Sequence, residues 1–120
     1  MTAAREDLLR TIYAAFNARD IDAVLAALAP DVDWPNAWEG GRVAGHEGVR
    51  GYWTRQWAAI DPSVEPAGFT GRPDGRLAVD VAQVARSLDG ELLGEGRVVH
   101  VYAFDDATGL VTRMDVEEEG

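Results

Sequence analysis

The sequence predicts an α+β fold in which three helices cover one face of a strongly curved antiparallel sheet. Amphipathic helical patterns dominate residues 2–60, and alternating strand patterns separated by turn signals fill the remainder. Two of the predicted strands run well past the common length of about 5–6 residues, so they must bend. A bent sheet with helices across its open side forms a cone, and a cone encloses a pocket.

Two helices are predicted at the start of the chain. The apolar positions of the first lie on one stripe, formed by Leu8, Ile12 and Phe16 with Leu9 and Tyr13 beside it. The second helix is shorter, is capped by Asp20 and is expected to stop at Pro30. Its apolar face consists of Ile21, Val24, Leu25 and Leu28. This helical hairpin needs a third surface to cover its apolar faces.

A short strand and a third helix are predicted next. Val32 and Trp34 alternate with aspartates in DVDWPNAW (31–38), and Pro35 limits that strand to an edge or an end. EGGRVAG (39–45) is predicted to be a loop. The third helix is predicted from His46 to Ala59, with one apolar stripe made of Val49, Trp53, Trp57 and Ile60.

Four strands are predicted at about 63–71, 76–88, 91–104 and 110–118, with turns at 72–75, 89–90 and 105–109. The alternation of the second of these strands slips near Val84, which indicates a bulge. In the third, Gly94 and Gly96 would ease curvature or let another group approach the backbone.

Composition excludes several classes of function. The net charge of −10 disfavours nucleic acid and anionic membranes as partners. The chain has no cysteine and no lysine, so disulfides, thiolate metal sites and Schiff-base chemistry are excluded. The length predicts one domain over residues 1–120, and the absence of a signal region predicts a cytoplasmic protein. No metal motif joins His46 to His100 and no phosphate loop occurs, so we expect no cofactor and no metal.

Two polar residues are the candidates for chemistry. His100 lies in the apolar strand GRVVHVYAF (96–104), on one face with Tyr102 and Phe104. It is either a buried neutral imidazole bonded to a neighbour, or a pocket residue that acts as acid, base or donor. Asn36 is either a turn residue after Pro35 or a pocket amide that holds a carbonyl or hydroxyl.

Four tryptophans fall within 24 residues: Trp34, Trp38, Trp53 and Trp57. Core packing explains most clusters of this kind. The other interpretation is a pocket wall for a flat or apolar ligand, with Trp53 and Trp57 one helical turn apart so that one ligand could touch both.

Three segments resemble the SnoaL-like group of the nuclear transport factor two superfamily, which also contains ketosteroid isomerase. They are IYAAFNARDIDAVLAALAPDVDW, GRVAGHEGVRGYW and GRVVHVYAFDDATGLVTRMDV, and with the element order they span nearly the whole chain. The resemblance implies one conical domain with its pocket between sheet and helices, and dimerisation through the outer sheet face. This fold hosts isomerases, dehydratases, cyclases, hydrolases and non-catalytic binding domains.

The resemblance also assigns positions one at a time. The base of ketosteroid isomerase would fall on Asn36, its oxyanion-hole tyrosine near Ile12 with Tyr13 adjacent, and its protonated acid on His100. The chain departs at all three, so steroid isomerisation by that machinery is not expected. SnoaL-type polyketide cyclases place a histidine and an aspartate where His100 and Asp115 stand, but alternation points Asp115 away from the pocket.

The expected function is binding of a small, largely apolar molecule, with His100 and Asn36 acting on it. The leading hypothesis adds cofactor-free proton transfer of the isomerase, dehydratase or cyclase type; the alternative is a non-catalytic ligand-binding or dimerisation domain. Both faces of residues 98–104 are apolar, which favours a homodimer through the outer face. The expected ligand contacts are Tyr13, Phe16, Trp34, Trp38, Trp53, Trp57, Tyr102 and Met114.

Overall fold

The predicted α+β architecture is confirmed by a computed structural model, which describes residues 2–36 and 39–118. Three helices cover a curved, unclosed sheet of six strands. The elements are α1 (Thr2–Asn17), α2 (Ile21–Ala26), β1 (Leu28–Pro35), β2 (Arg42–Ala44), α3 (Gly45–Ala59), β3 (Asp61–Gly71), β4 (Leu77–Arg86), β5 (Leu92–Phe104) and β6 (Val111–Glu118). In this part of the chain, no helix is both long and apolar enough to cross a membrane.

The strands lie side by side in the order β2-β1-β6-β5-β4-β3. The pairs from β3 to β6 form the predicted antiparallel meander. The pairing of β1 with β6 is parallel and was not predicted. It places the first long strand beside the last one.

The prediction that the second helix stops at Pro30 is wrong. Helix α2 ends at Ala26, and Pro30 lies inside β1. The ladder between β1 and β6 pairs Leu28 with Val111 and Asp33 with Arg113, and its register shifts in between. Pro30 falls in that irregular stretch, where its missing N–H costs no regular ladder bond. The predicted loop at 39–45 likewise contains the short strand β2.

The predicted irregularity near Val84 is present, since the ladder of β4 with β5 shifts register between Ala85 and Arg86, but the extra residue does not lie in β4. Strand β4 pairs with β5 in unbroken register as far as Ala85. The extra residues lie in the neighbouring strands, at Leu93 in β5 and at Ala67 in β3. Val84 therefore keeps the alternation of its strand and is paired with Ser63 and Glu95.

The core lies between the helices and the inner face of the sheet. Leu9 of α1 and Val49 of α3 have no exposed surface, and neither do Val79 and Val81 of β4. Burial of apolar side chains of this size stabilises the fold by about 1.5–3 kcal/mol each relative to exposure. Any binding site between the helices and the sheet is therefore positioned by the inner face of the sheet.

The outer face carries a layer of ion pairs. Arg113 contacts Asp33 at 2.7 Å and Asp115 at 2.9 Å, and Arg42 contacts the same two carboxylates at 2.5 and 3.2 Å. The hydrogen bond from Arg113 holds the pKa of Asp115 below its usual value. Asp115 therefore points away from the inner face, as its alternation predicted.

Candidate functional site

A cavity of about 460 Å³ opens between the helices and the inner face of the sheet. Its walls are mostly apolar, and its size falls in the range of small-molecule sites, about 300–1,000 Å³. The predicted site residues that line it are Tyr13, Phe16, Trp34, Trp53, His100, Tyr102 and Met114. Trp38 lies outside the described residues.

Asn36 does not line this cavity, although it is buried. Its side-chain N–H₂ donates to a carboxylate oxygen of Glu39 at 2.9 Å, and its side-chain oxygen accepts from the Glu39 backbone N–H at 2.8 Å. Hydrogen bonds from Arg55 hold the pKa of Glu39 down to about 2, so its carboxylate stays charged. These contacts are those of a turn residue, and they correct the expectation of a pocket amide.

Trp57 supports the cavity wall from behind and does not line it. Its ring stacks on Trp53 at 5.8 Å between centroids and meets Phe16 edge-on at 5.3 Å. The guanidinium of Arg19 lies 5.2 Å from the Trp57 ring centroid. The cavity lining therefore includes Trp53 but not Trp57, although their helical spacing led us to expect both.

A hydrogen-bonded chain of three side chains crosses the inner end of the cavity. The Tyr102 hydroxyl donates to the Tyr13 oxygen at 2.8 Å, and the Tyr13 oxygen lies 2.8 Å from Nδ1 of His100. Because Tyr13 already accepts from Tyr102, its own proton is free to donate to Nδ1. Helix α1 thus supplies the middle member and β5 the two outer members.

Burial sets the ionisation of this chain. It lowers the pKa of His100 to about 4, so the imidazole is neutral at pH 7. It raises the pKa of Tyr13 and of Tyr102 well above the usual tyrosine value, and contact with Tyr102 raises that of Tyr13 further. All three groups are therefore uncharged. A neutral imidazole that accepts at Nδ1 carries its proton on Nε2.

The Nε2–H of His100 is the donor of this chain that the described residues leave free. No hydrogen bond to Nε2 is formed by the residues that the structure describes, and His100 keeps 9% of its surface exposed within the cavity lining. The indole N–H of Trp57, in contrast, is fully buried and has no partner among the residues that the structure describes. A ligand oxygen in the cavity can thus accept from His100.

Several lining residues were not predicted as site residues. Tyr52 and Gln56 lie on α3 beside Trp53, and one turn of helix separates Gln56 from Tyr52. The sequence contained a signal for both residues, because positions i and i+4 of a helix lie on the same face. Ser63 and Gln83 gave no signal, since the bend of the sheet brings their strands to the cavity.

Metal ligation finds no support within residues 2–36 and 39–118, where no group of three histidine, aspartate or glutamate side chains could hold an ion. Nε2 of His46, the second histidine, lies 2.9 Å from the carbonyl oxygen of Leu28. His46 thus joins α3 to β1 and lies away from His100.

The model of the SnoaL-like domain family matches residues 9–114. The chain belongs to the SnoaL-like family. This agrees with the cone, with the cavity position and with the resemblance in sequence. No curated protein sequence matches this SnoaL-like chain.

Solved structures share the fold of this SnoaL-like protein over nearly its whole length. TerC co-crystallised with polyporic acid is 25% identical, with 96% of this chain and 91% of that chain covered and a TM-score of 0.81. An NTF2-like protein of unknown function from Burkholderia pseudomallei is 26% identical, with 96% and 90% covered and a TM-score of 0.80. A Mycobacterium tuberculosis protein in complex with estradiol-17β-hemisuccinate is 22% identical, with 91% and 88% covered and a TM-score of 0.77; it shows the fold alone.

Proposed function

We propose that this protein binds a small, mostly apolar molecule in the cavity and holds one oxygen of that molecule against Nε2–H of His100. The hydrogen-bonded chain Tyr102–Tyr13–His100 is the observation that carries the proposal. A buried polar chain of this kind costs stability unless each member is satisfied. Here one donor is left over, and it borders an open cavity.

The chemistry that suits this donor is polarisation of a carbonyl. Both tyrosines keep their protons at neutral pH because burial raises their pKa values, so they orient the imidazole and do not exchange protons with a ligand. A neutral, oriented N–H in an apolar site stabilises the negative charge that develops when a carbonyl becomes an enolate. The leading activity is therefore cofactor-free proton transfer next to a carbonyl, in which His100 serves as hydrogen-bond donor and the proton removed passes to water or to Glu95, the carboxylate of the described lining.

Binding without chemistry is the second candidate, and one observation favours it. Among the described lining residues, Glu95 is the sole carboxylate, and it is exposed. Proton transfer needs a base within hydrogen-bond reach of the proton it removes. If no base reaches that proton, the same cavity and donor serve to hold a carbonyl compound. The relation to TerC, which was co-crystallised with polyporic acid, supports a binding role in either case.

Two matched probes test the donor. We expect wild-type protein to bind 4-acetylbiphenyl and to bind 4-ethylbiphenyl, which has the same rings but no carbonyl oxygen; tryptophan fluorescence reports both. His100→Ala should weaken the ketone by about 10- to 100-fold, because its oxygen loses a buried partner worth about 1–3 kcal/mol. The hydrocarbon should be unaffected. Equal losses for both probes would mean that His100 only shapes the wall.

Exchange of the acetyl methyl protons for deuterium in D₂O separates the two candidates. If the protein assists enolisation, wild type accelerates this exchange above the buffer rate and His100→Ala does not. Tight binding of the ketone with exchange at the buffer rate would leave binding alone as the function. NMR of the methyl signal measures the rate directly.

Homodimerisation through the outer sheet face also stays a proposal. Val101 lies on that face yet has no exposed surface within a single chain, so an apolar outer face does not require a partner. Val99 is half-buried between Asp80 and Glu117. If this face pairs, Val99→Lys should turn a dimer into a monomer in sedimentation equilibrium, while the two carboxylates accommodate the ammonium. A dimer unaffected by the substitution would exclude this face.

A further inference from the structure

Two exposed glycines, Gly96 and Gly94, follow Val98 on the inner face of β5 in the direction away from the imidazole of His100. Gly96 and Gly94 lie in the same alternating row of β5 as His100 and Tyr102, and both line the cavity. A Cβ atom at either position would meet nothing within 4 Å. Neither has a positive φ, so the backbone does not require glycine there. Glycine weakens the interior of a strand, so it needs another reason to be there. At these two positions the structural effect of having no side chain is open space.

The neighbouring strands continue the bare region. In the ladders, Gly94 is level with Ala85 of β4 and Pro62 of β3, and all three line the cavity. The next row is formed by Gly96, Gln83 and Val64, which also line it. Gln83 is the sole polar side chain of these six residues. The cavity therefore has a distal part with a short-chained floor, in addition to the aromatic part around Tyr13.

The distances fit a long ligand. Gly96 and Gly94 lie four and six residues from His100 along β5. At about 3.3 Å per residue, these separations are roughly 13 and 20 Å, less where the strand bends. A single ring held at His100 would not reach the glycines, whereas a molecule of two or three rings in line would.

We propose that Gly96 and Gly94 are specificity-determining residues, which open a distal compartment for the far end of an elongated, apolar carbonyl compound. The proposal rests on the proposed function, because His100 fixes the near end. The ligand class is thus a rod-like or multi-ring ketone rather than a single-ring one. Its far end lies on bare strand backbone, with Gln83 available to a polar substituent.

A series of ketones of increasing length tests the compartment. The probes are acetophenone, 4-acetylbiphenyl and 4-acetyl-p-terphenyl, which share the acetyl group and differ in the number of rings in line. In wild type, affinity should rise with each ring. Gly96→Val should weaken the terphenyl by about 10-fold or more, the effect that a mis-sized group has in an apolar pocket, and leave acetophenone unchanged. Gly94→Val, farther out, should affect the terphenyl alone.

The chain offers a matched control. Gly71 is also a strand glycine whose Cβ would meet nothing within 4 Å, but it lies at the end of β3 outside this cavity. Gly71→Val should bind all three probes as wild type does. Thermal unfolding checks each variant, and Gly96→Ala, with its smaller side chain, replaces Gly96→Val if the latter is unfolded.

The outcomes separate this proposal from the one on which it rests. If Gly96→Val binds the terphenyl as wild type does while His100→Ala does not bind it, the compartment is refuted and the donor stands. If Gly96→Val discriminates by length while His100→Ala binds every probe normally, the anchoring at His100 is refuted. Failure of wild type to gain affinity with length, or to bind any of the three, overturns the elongated ketone as ligand class.

Discussion

Trp53→Ala is expected to lower the free energy of unfolding by about 3–5 kcal/mol, the range for truncation of a large buried aromatic. Trp53 is 3% exposed and joins three aromatic partners from different parts of the fold. Its ring meets Trp34 of β1 edge-on at 5.5 Å and Phe16 of α1 edge-on at 5.3 Å, and it stacks on Trp57. Truncation would remove these contacts together and leave a void beside an existing cavity.

Urea denaturation measures this effect, and Trp57→Ala is the matched control. Trp57 lies one turn further along α3 and belongs to the same cluster, but it is half-buried. Its truncation should therefore cost clearly less. An equal or larger loss for Trp57→Ala would contradict the view that Trp53 is the centre of the cluster. Trp53→Ala should also admit solvent to the cavity and weaken binding of an apolar probe.

Acidification from pH 7 to pH 4 is expected to cost about 3 kcal/mol of stability through His100 alone, since one pKa unit corresponds to about 1.36 kcal/mol. The unfolded chain takes up a proton on this imidazole near pH 6.5, whereas burial delays protonation in the folded protein until about pH 4. Between these two values the unfolded state binds more protons, so the free energy of unfolding falls as the pH falls. Above pH 6.5 the imidazole is neutral in both states, so His100 causes no loss of stability there.

The variant His100→Gln isolates this effect. Protonation of carboxylates also lowers the stability of the protein in acid, because Arg113 and Arg72 hold the pKa values of Asp115 and Glu117 low. These carboxylates are present in both proteins. The difference between wild type and variant in urea denaturation, measured from pH 4 to pH 7, therefore reports His100. Parallel pH profiles for the two proteins would show that the imidazole is not buried as described.

The fold was accessible from the sequence because its signals are local. The stripes at Leu8, Ile12 and Phe16 and the alternation in 96–104 are set by nearest neighbours, and each survived in the structure. The errors fall where a distant partner decides. The local sequence around Pro30 predicts the end of a helix, but pairing with β6 makes this segment a strand. The irregular register of that pairing allows a proline in the strand.

The candidate site was accessible in part for a related reason. Alternation placed His100 and Tyr102 on one face, and family position indicated that this face borders the cavity. The link to Tyr13 could not be derived, because it depends on how α1 lies across the sheet. Asn36 was misplaced because family position carries no information on its partner: the amide is engaged by Glu39, three residues away.

The parallel pairing of β1 with β6 has a consequence for how the protein is made. Leu28 and Asp33 pair with residues 111 and 113, so this seam has by far the greatest sequence separation in the sheet. On a ribosome, α1, α2 and β1 emerge long before β6 exists, so one edge of β1 lacks its partner strand until then. Contacts this distant in sequence slow folding, because the loop entropy is lost before the contacts form. The nascent chain is thus expected to remain open along β1 until residues 111–118 have left the exit tunnel.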